Sequence, residues 1–276
     1  MDYLRRMTLV AHLSDRALIG ISGPEARDFL QGLITNDIGK LVPGRPLYAA
    51  LLTPQGKILF DFLLHERDGE ILLDCEAAKE ETLRKRLTMY RLRSKVVIEV
   101  RPELAVVASW NGGDAQGSLD PRLIALGRRS IWPSGDVPND AAGPDVYLGH
   151  RLACGVPEGG DFGQDRMFAL DADLDELHAI SFDKGCYVGQ ELTARMKHRG
   201  TARKRLLPVS SLDGTPLPGG ELAVVAGEHE IGNLVSTYGP TGFALMRLDR
   251  LAETSQLTPQ IDGTRVRISR PQWLSA

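Results

Sequence analysis

One stretch of this 276-residue chain gathers side chains that could do chemistry: Ser181 to Glu191, which reads SFDKGCYVGQE. Cys186 stands between Gly185 and Gly189, two residues after Lys184. A cysteine acts as nucleophile or metal ligand through its thiolate, which nearby cations, a helix N-terminus and partial exposure all favour. Lys184 supplies a cation, the glycines allow close backbone approach or an unusual φ, and Gln190 onward has the look of a helix opening. Three other readings compete with a reactive thiol. Cys186 could be a buried, inert core residue. It could pair with His178 or His198 as a hydrolytic nucleophile, although such partners are normally brought together by the fold rather than by sequence. It could also complete a metal cluster whose other ligands come from a second protein. Arg195 to Arg205 follows, with six lysines and arginines in eleven residues. That run reads either as a solvated helix end with a linker or as an anion site.

The elements that must position this stretch can be read from periodicity. Ala26, Phe29, Leu30 and Leu33 fall on one face and predict a helix over residues 23–34, with Ser22 and Glu25 at capping-box spacing. Thr35-Asn36-Asp37 breaks it with side chains that compete for backbone hydrogen bonds. Three apolar runs, Tyr48–Leu52, Lys57–Leu64 and Glu70–Asp74, are separated by TPQG and RDG turns and predict an antiparallel meander. A charged helix over 76–92 and strand-like runs at 94–101 and 104–109 follow. Residues 111–144, rich in Gly, Pro, Asp and Asn, read as a loop-bearing region, and Val146–Cys154 as helix. Leu192 and Met196, four apart, would seat the helix after Cys186 on a core. Beyond Arg205, short β-rich runs between Gly, Pro and Asp turns predict a small antiparallel barrel or sandwich. The order is that of an α+β protein. Its expected domains are 1–205, with a break near 111–144 between two subdomains, and 206–276.

Bulk composition narrows the function. Hydrophobic residues at 42% and charged residues at 25% are those of a folded globular chain. A formal charge of −3 disfavours a protein that grips nucleic acid through overall charge. Cys75, Cys154 and Cys186 are odd in number and lack C-x-x-C spacing, which points to a reducing compartment and away from a zinc site built by this chain alone. The N-terminal residues contain no apolar run long enough for a signal peptide or a spanning helix, so a cytoplasmic protein is expected.

Taken together, KGCYVGQE, FLQGLITND (Phe29–Asp37), YAALLTPQGKILFDF (Tyr48–Phe62), RLACGVPEGGDF (Arg151–Phe162) and IGNLVSTYG (Ile231–Gly239) resemble the YgfZ family. That family comprises folate-binding proteins related to the T protein, or aminomethyltransferase, of the glycine cleavage system. Its mitochondrial relatives serve iron–sulfur cluster assembly. The resemblance implies an α+β folate-binding body of antiparallel sheets with helices, closed by a small C-terminal β-barrel. It also implies support of iron–sulfur enzymes, including radical enzymes that modify tRNA, through Cys186 as functional thiol, either in redox protection or as a cluster ligand shared with a carrier or client protein. Lys184, Gly185, Tyr187, Gly189, Gln190 and Glu191 match the rest of the motif. Contacts to tetrahydrofolate or a derivative would fall to Asn36, Asp173 and Arg195. A cluster would be a transient guest, with direct contact to tRNA not expected.

The sequence departs from the family at one place. Relatives commonly carry a proline followed four residues later by asparagine and leucine, where this chain has Ala169, Asp173 and Leu174. An amide exchanged for a carboxylate removes two donors. Two other functions stay open on the residues: a tetrahydrofolate-dependent aminomethyltransferase or demethylase, for which Glu81 is the nearest candidate acid, and an interaction scaffold with a vestigial pocket.

Overall fold

In a computed structural model of the chain, residues 8–112, 116–198, 200 and 203–275 are described. They divide into two compact units. The first holds residues up to 52, 60–150 and 177–188, and the second holds 53–59, 151–176 and 189 onward.

The first unit is built on two sheets. Its strands are β1 (Leu9–His12), β2 (Arg16–Ser22), β3 (Leu47–Leu52), β4 (Ile58–Arg67), β5 (Glu70–Glu76), β6 (Val97–Val100), β7 (Leu104–Trp110), β8 (Ser118–Leu119) and β9 (Arg128–Pro133). One sheet has the order β3-β4-β5-β2-β6, the other β1-β7-β9-β8. The meander appears as expected, and its turn chemistry explains the register of β4 on β5. Asp68 and Gly69 both sit at positive φ (52° and 80°), the requirement of a two-residue hairpin whose twist matches its strands. Every residue of β3 is buried, so its sequence LYAALL is apolar almost throughout instead of alternating.

Helix α1 (Ala26–Gln31) buries Ala26, Phe29 and Leu30, but it is shorter than the predicted 23–34. Its capping box does not form. Ser22 ends β2, and the Glu25 carboxylate instead accepts the Lys95 N–H at 3.0 Å. Helix α2 (Glu80–Arg91) buries Leu83 and Leu87, and α3 (Pro144–Ala153) follows the second sheet. The region predicted as loop contains β8 and β9. Apolar periodicity misses β9 because its sequence RRSIWP holds a buried arginine. Arg129 lies 3.7 Å from Asp74 and 3.8 Å from Asp120, in a buried ionic cluster that also pairs Arg122 with Asp120 at 2.8 Å and Arg16 with Asp74 at 2.6 Å. Buried charges are tolerated here because opposite charges lie beside them, and no apolar pattern announces the strand that carries them.

The second unit carries α4 (Gln190–His198) and a closed barrel, β10 (Lys204–Ser211), β11 (Ala223–Ala226), β12 (His229–Tyr238), β13 (Thr241–Arg247), β14 (Gln260–Ile261) and β15 (Thr264–Ile268), with α5 (Leu248–Glu253) after β13. The barrel order is β10-β13-β12-β11-β14-β15. Its interior is filled by Leu207, Val224, Ile231, Leu234, Met246 and Val266, among others, which leaves no lumen. The segment RLACGVPEGGDF docks on it through one buried aspartate, Asp161, which Arg151 of the same segment holds. Arg151 Nη1 donates to Asp161 Oδ2 at 2.8 Å, and Asp161 Oδ1 accepts from Ser236 Oγ at 2.5 Å and Tyr238 OH at 3.0 Å. No helix among the described residues is long and apolar enough to cross a membrane.

Candidate functional site

Cys186 is exposed, on a loop between the chain that returns to the first unit at residue 177 and the start of α4. Gly185 beside it is exposed as well, whereas Lys184 and Tyr187 are buried. The inert-core reading of Cys186 therefore fails on exposure.

What fixes this loop is the N-terminal motif. Lys184 Nζ donates to the carbonyl oxygens of Gln31 at 2.8 Å, Ile34 at 2.7 Å and Asn36 at 2.8 Å. The carbonyl of Gln31, the last residue of α1, lacks a partner within the helix, and the ammonium satisfies it together with two carbonyls of the turn that follows, at the helix end where the dipole also favours a cation. Its three protons match three acceptors. The Tyr187 ring, with its centroid 5.0 Å from Nζ, covers the charge from another side. Burial draws the lysine pKa down to about 8, against the pull of the Asp37 charge, so the ammonium is still charged at neutral pH.

Thr35 and Asn36 extend the latch. Thr35 Oγ1 donates to Ala179 O at 2.6 Å and accepts from Ala50 N at 2.9 Å, while Ser181 N donates to Thr35 O at 3.1 Å. Asn36 Nδ2 donates to Tyr48 O and to His178 O, both at 2.8 Å, and its Oδ1 accepts the Asp37 N–H at 2.9 Å. Lys40 Nζ reaches Ser181 Oγ at 3.2 Å. FLQGLITND is thus the frame on which ISFDKGC is hung. From the residues, Thr35-Asn36-Asp37 reads as a helix breaker, and the family resemblance puts Asn36 forward as a folate contact. The same capacity to bind backbone groups, turned on a segment 142 to 144 residues away, is its structural use.

The second half of the motif lies in the other unit. Gly189 has φ of 84°, and α4 starts directly after it with Gln190 and Glu191, the latter acidic in the first turn. The buried residue of α4 is Thr193, whose Oγ1 donates to Gly189 O at 3.1 Å; Leu192 and Met196 are only half-buried. The TPQG turn lies against this helix start, since a Cβ added to Gly56 (φ 79°) would come within 3.3 Å of Gly189 O. Arg195 is exposed on α4, and of the basic run after it Arg199, Thr201 and Ala202 lie outside the described residues.

Asp173 is fully buried at a φ of 61°; no side chain hydrogen-bonds its carboxyl oxygens, and the backbone N–H of Leu206 faces them. Arg205 Nε is 3.6 Å away, while Nη1 of the same guanidinium donates to Asp175 Oδ1 at 2.9 Å. Burial pushes the Asp173 pKa well above the usual carboxylate range, despite that arginine. Desolvation of this kind favours the protonated form of the carboxyl.

Two comparisons define the class of protein. The chain is similar to the crystal structure of the glycine cleavage system aminomethyltransferase T from Bartonella henselae, with a TM-score of 0.76 over 99% of this chain and 88% of that one, at 15% identity, a likeness of fold. Residues 203–276 match the family model of the CAF17 C-terminal β-barrel domain. The fold is accordingly the T-protein-like α+β body with a closing barrel that the sequence implied. Among curated proteins the chain is 33% identical to the human mitochondrial iron–sulfur cluster assembly factor IBA57, over 95% of this chain and 84% of that protein. It is 34% identical to the mouse protein of that name, over 87% and 77%, and 32% to the homologue of Mycosarcoma maydis, over 90% and 66%. The chain belongs to the family of IBA57.

Proposed function

We propose that this protein supports the assembly or maintenance of iron–sulfur enzymes by offering Cys186 as a ligand to a cluster whose remaining ligands belong to a carrier or client protein. The observation that carries this reading is an exposed cysteine on a loop whose neighbouring lysine is buried and locked to three carbonyls. A thiolate that must meet a cluster on another protein has to be accessible, and holding its loop beforehand lowers the cost of forming a shared site. The names of the mitochondrial relatives support the same role. On binding iron, the Cys186 thiol gives up its proton and the sulfur becomes a ligand.

Within the family, the KGCYVGQE string favours the bacterial folate-binding branch, acting in the cytoplasm on clients that include radical enzymes of tRNA modification. Of the three side chains put forward for tetrahydrofolate, Asp173 fits best. It is buried, desolvation raises its pKa, and no side chain hydrogen-bonds it, so its protonated form can donate where relatives use an amide. Asn36 does not fit as a direct contact, because both protons of its amide and its oxygen already serve the backbone. Bound folate would supply one-carbon or pterin chemistry; the role of this chain toward it is to bind and orient.

The test in cells is complementation with Cys186→Ala. Activity of a [4Fe–4S] client should fall while the level of this protein stays unchanged. Full client activity would refute the thiol's role. Calorimetry with tetrahydrofolate should show saturable binding that Asp173→Leu abolishes; absence of heat from the wild-type protein would remove folate from the account.

A further inference from the structure

The C-terminal end of α2 and the strand that follows form a surface that the cysteine loop does not use. Residues 80–95 read EETLRKRLTMYRLRSK, with six lysines and arginines against two glutamates. Glu80 and Glu81 pair with Arg84 and Lys85 within the helix. Arg86, Arg91, Arg93 and Lys95 form no ion pair among the described residues; the carboxylates nearby are Glu25, which accepts the Lys95 N–H, and Glu99 of β6, which pairs with Arg101, so cations are in excess on this face of a chain of net negative charge.

Apolar side chains stand among these cations. Leu92 is 86% exposed, Met89 69% and Val97 47%. Leu92 holds a φ of 46° with ψ of −108° at the end of α2, a position that helices usually give to glycine. A leucine there is strained, and its exposure returns no core packing. The segment is also held firmly. Glu25 accepts the Lys95 N–H, and a Cβ on Gly23 would lie 2.4 Å from Lys95 O. A depression of about 660 Å³ lined by Glu25, Leu92, Arg93 and Ser94 opens beside it. Strand β6 is the edge of the five-stranded sheet, paired to β2 alone among the described strands, with Val97 and Val100 both exposed.

We propose that this surface docks an extended acidic segment of a partner protein, which adds to the sheet beside β6, sets apolar side chains on Met89, Leu92 and Val97, and places carboxylates against Arg86, Arg93 and Lys95. Strand addition satisfies the open edge by main-chain hydrogen bonds, and alternate side chains give it specificity. A lipid surface offers no partner to those backbone groups. RNA would call for aromatic side chains to stack on its bases, and the only aromatic residue between 80 and 100 is the half-buried Tyr90.

The probe is a fluorescein-labelled, end-capped ten-residue peptide alternating glutamate with valine, followed by anisotropy against the full chain, with a lysine-for-glutamate peptide as control. Saturable binding of the acidic peptide is expected, weakened at least ten-fold by Leu92→Asp and by Arg93→Glu, with slowed hydrogen exchange of the amides in Val97–Val100 that face away from β2. Leu92→Gly separates docking from folding: relief of the positive φ should raise the midpoint of thermal unfolding while peptide affinity falls. The proposal is overturned if the acidic peptide does not saturate, if Leu92→Gly leaves its affinity unchanged, or if vesicles of phosphatidylserine or poly(U) RNA bind this face and the peptide does not.

Discussion

Lys184 Nζ lies 2.7 Å from the carbonyl oxygen of Ile34, across a separation of 150 residues. With the carbonyls of Gln31 and Asn36 it makes a three-point clamp between the first motif of the chain and the loop that presents Cys186. The lysine next to the cysteine is therefore a structural residue first, and its nearness in sequence to the thiol follows from where the loop must be held.

Replacing Lys184 with Met removes the donor and leaves three carbonyls to find others. We expect a loss of about 3 kcal/mol in urea unfolding, with faster amide exchange at Ser181 and around residues 184–187. Lys184→Arg should recover less than half of this loss, because a planar guanidinium cannot aim three protons at three converging acceptors.

Asn36→Ala withdraws a side chain that serves Tyr48 O, His178 O and the Asp37 N–H. The expected cost is about 2 kcal/mol. Affinity for tetrahydrofolate should not change beyond what the loss of folded protein explains; a specific loss of affinity would make Asn36 a ligand after all.

In the second unit, Asp161→Ala leaves Arg151 with Val156 O at 2.7 Å and the Glu158 carboxylate at 3.6 Å, deprives Ser236 and Tyr238 of their acceptor, and should cost about 3 kcal/mol. Tyr238→Phe deletes one hydrogen bond to the same carboxylate and should cost about 1 kcal/mol. Thermal unfolding of the two variants side by side checks the ratio.

Asp171 gives a pH dependence with a definite sign. Burial pushes its carboxyl up to about 6 from an ordinary 3.8, with Lys204 and Arg205 pulling the other way. Between those values the folded chain holds a proton that the unfolded chain has released. The stabilising contribution is thus complete at low pH and is lost as pH rises through about 6. Asp171→Asn should stabilise the protein at pH 7 by on the order of 2 kcal/mol and have no such effect at pH 4. Equal gains at both pH values would contradict this origin.

The parts of the fold that depend on local pattern were legible in the sequence. The meander, the helix after Gly189 and the barrel strands each carry their own periodicity and turn residues. Strand β9 was not, because Arg128 and Arg129 look solvated until the carboxylates of Asp74 and Asp120 are brought to Arg129 by the other strands. At the site, the accessible thiol and the helix start could be read from the glycines around Cys186. The clamp could not, since nothing local to Lys184 says that its acceptors are the carbonyls of residues 31, 34 and 36. The failed capping box has the same cause: Glu25 serves a distant amide, Lys95 N, instead of its own helix.

The central claim is that Cys186 ligates a cluster shared with another protein, and anaerobic reconstitution tests it most directly. Wild type and Cys186→Ala are each mixed with a cluster-loaded carrier, the complex is isolated by size exclusion, and absorbance in the visible region is read across the peak. The account predicts a coloured complex for the wild type and none for Cys186→Ala, with both proteins unfolding at the same temperature. A coloured complex of equal yield from Cys186→Ala would contradict it.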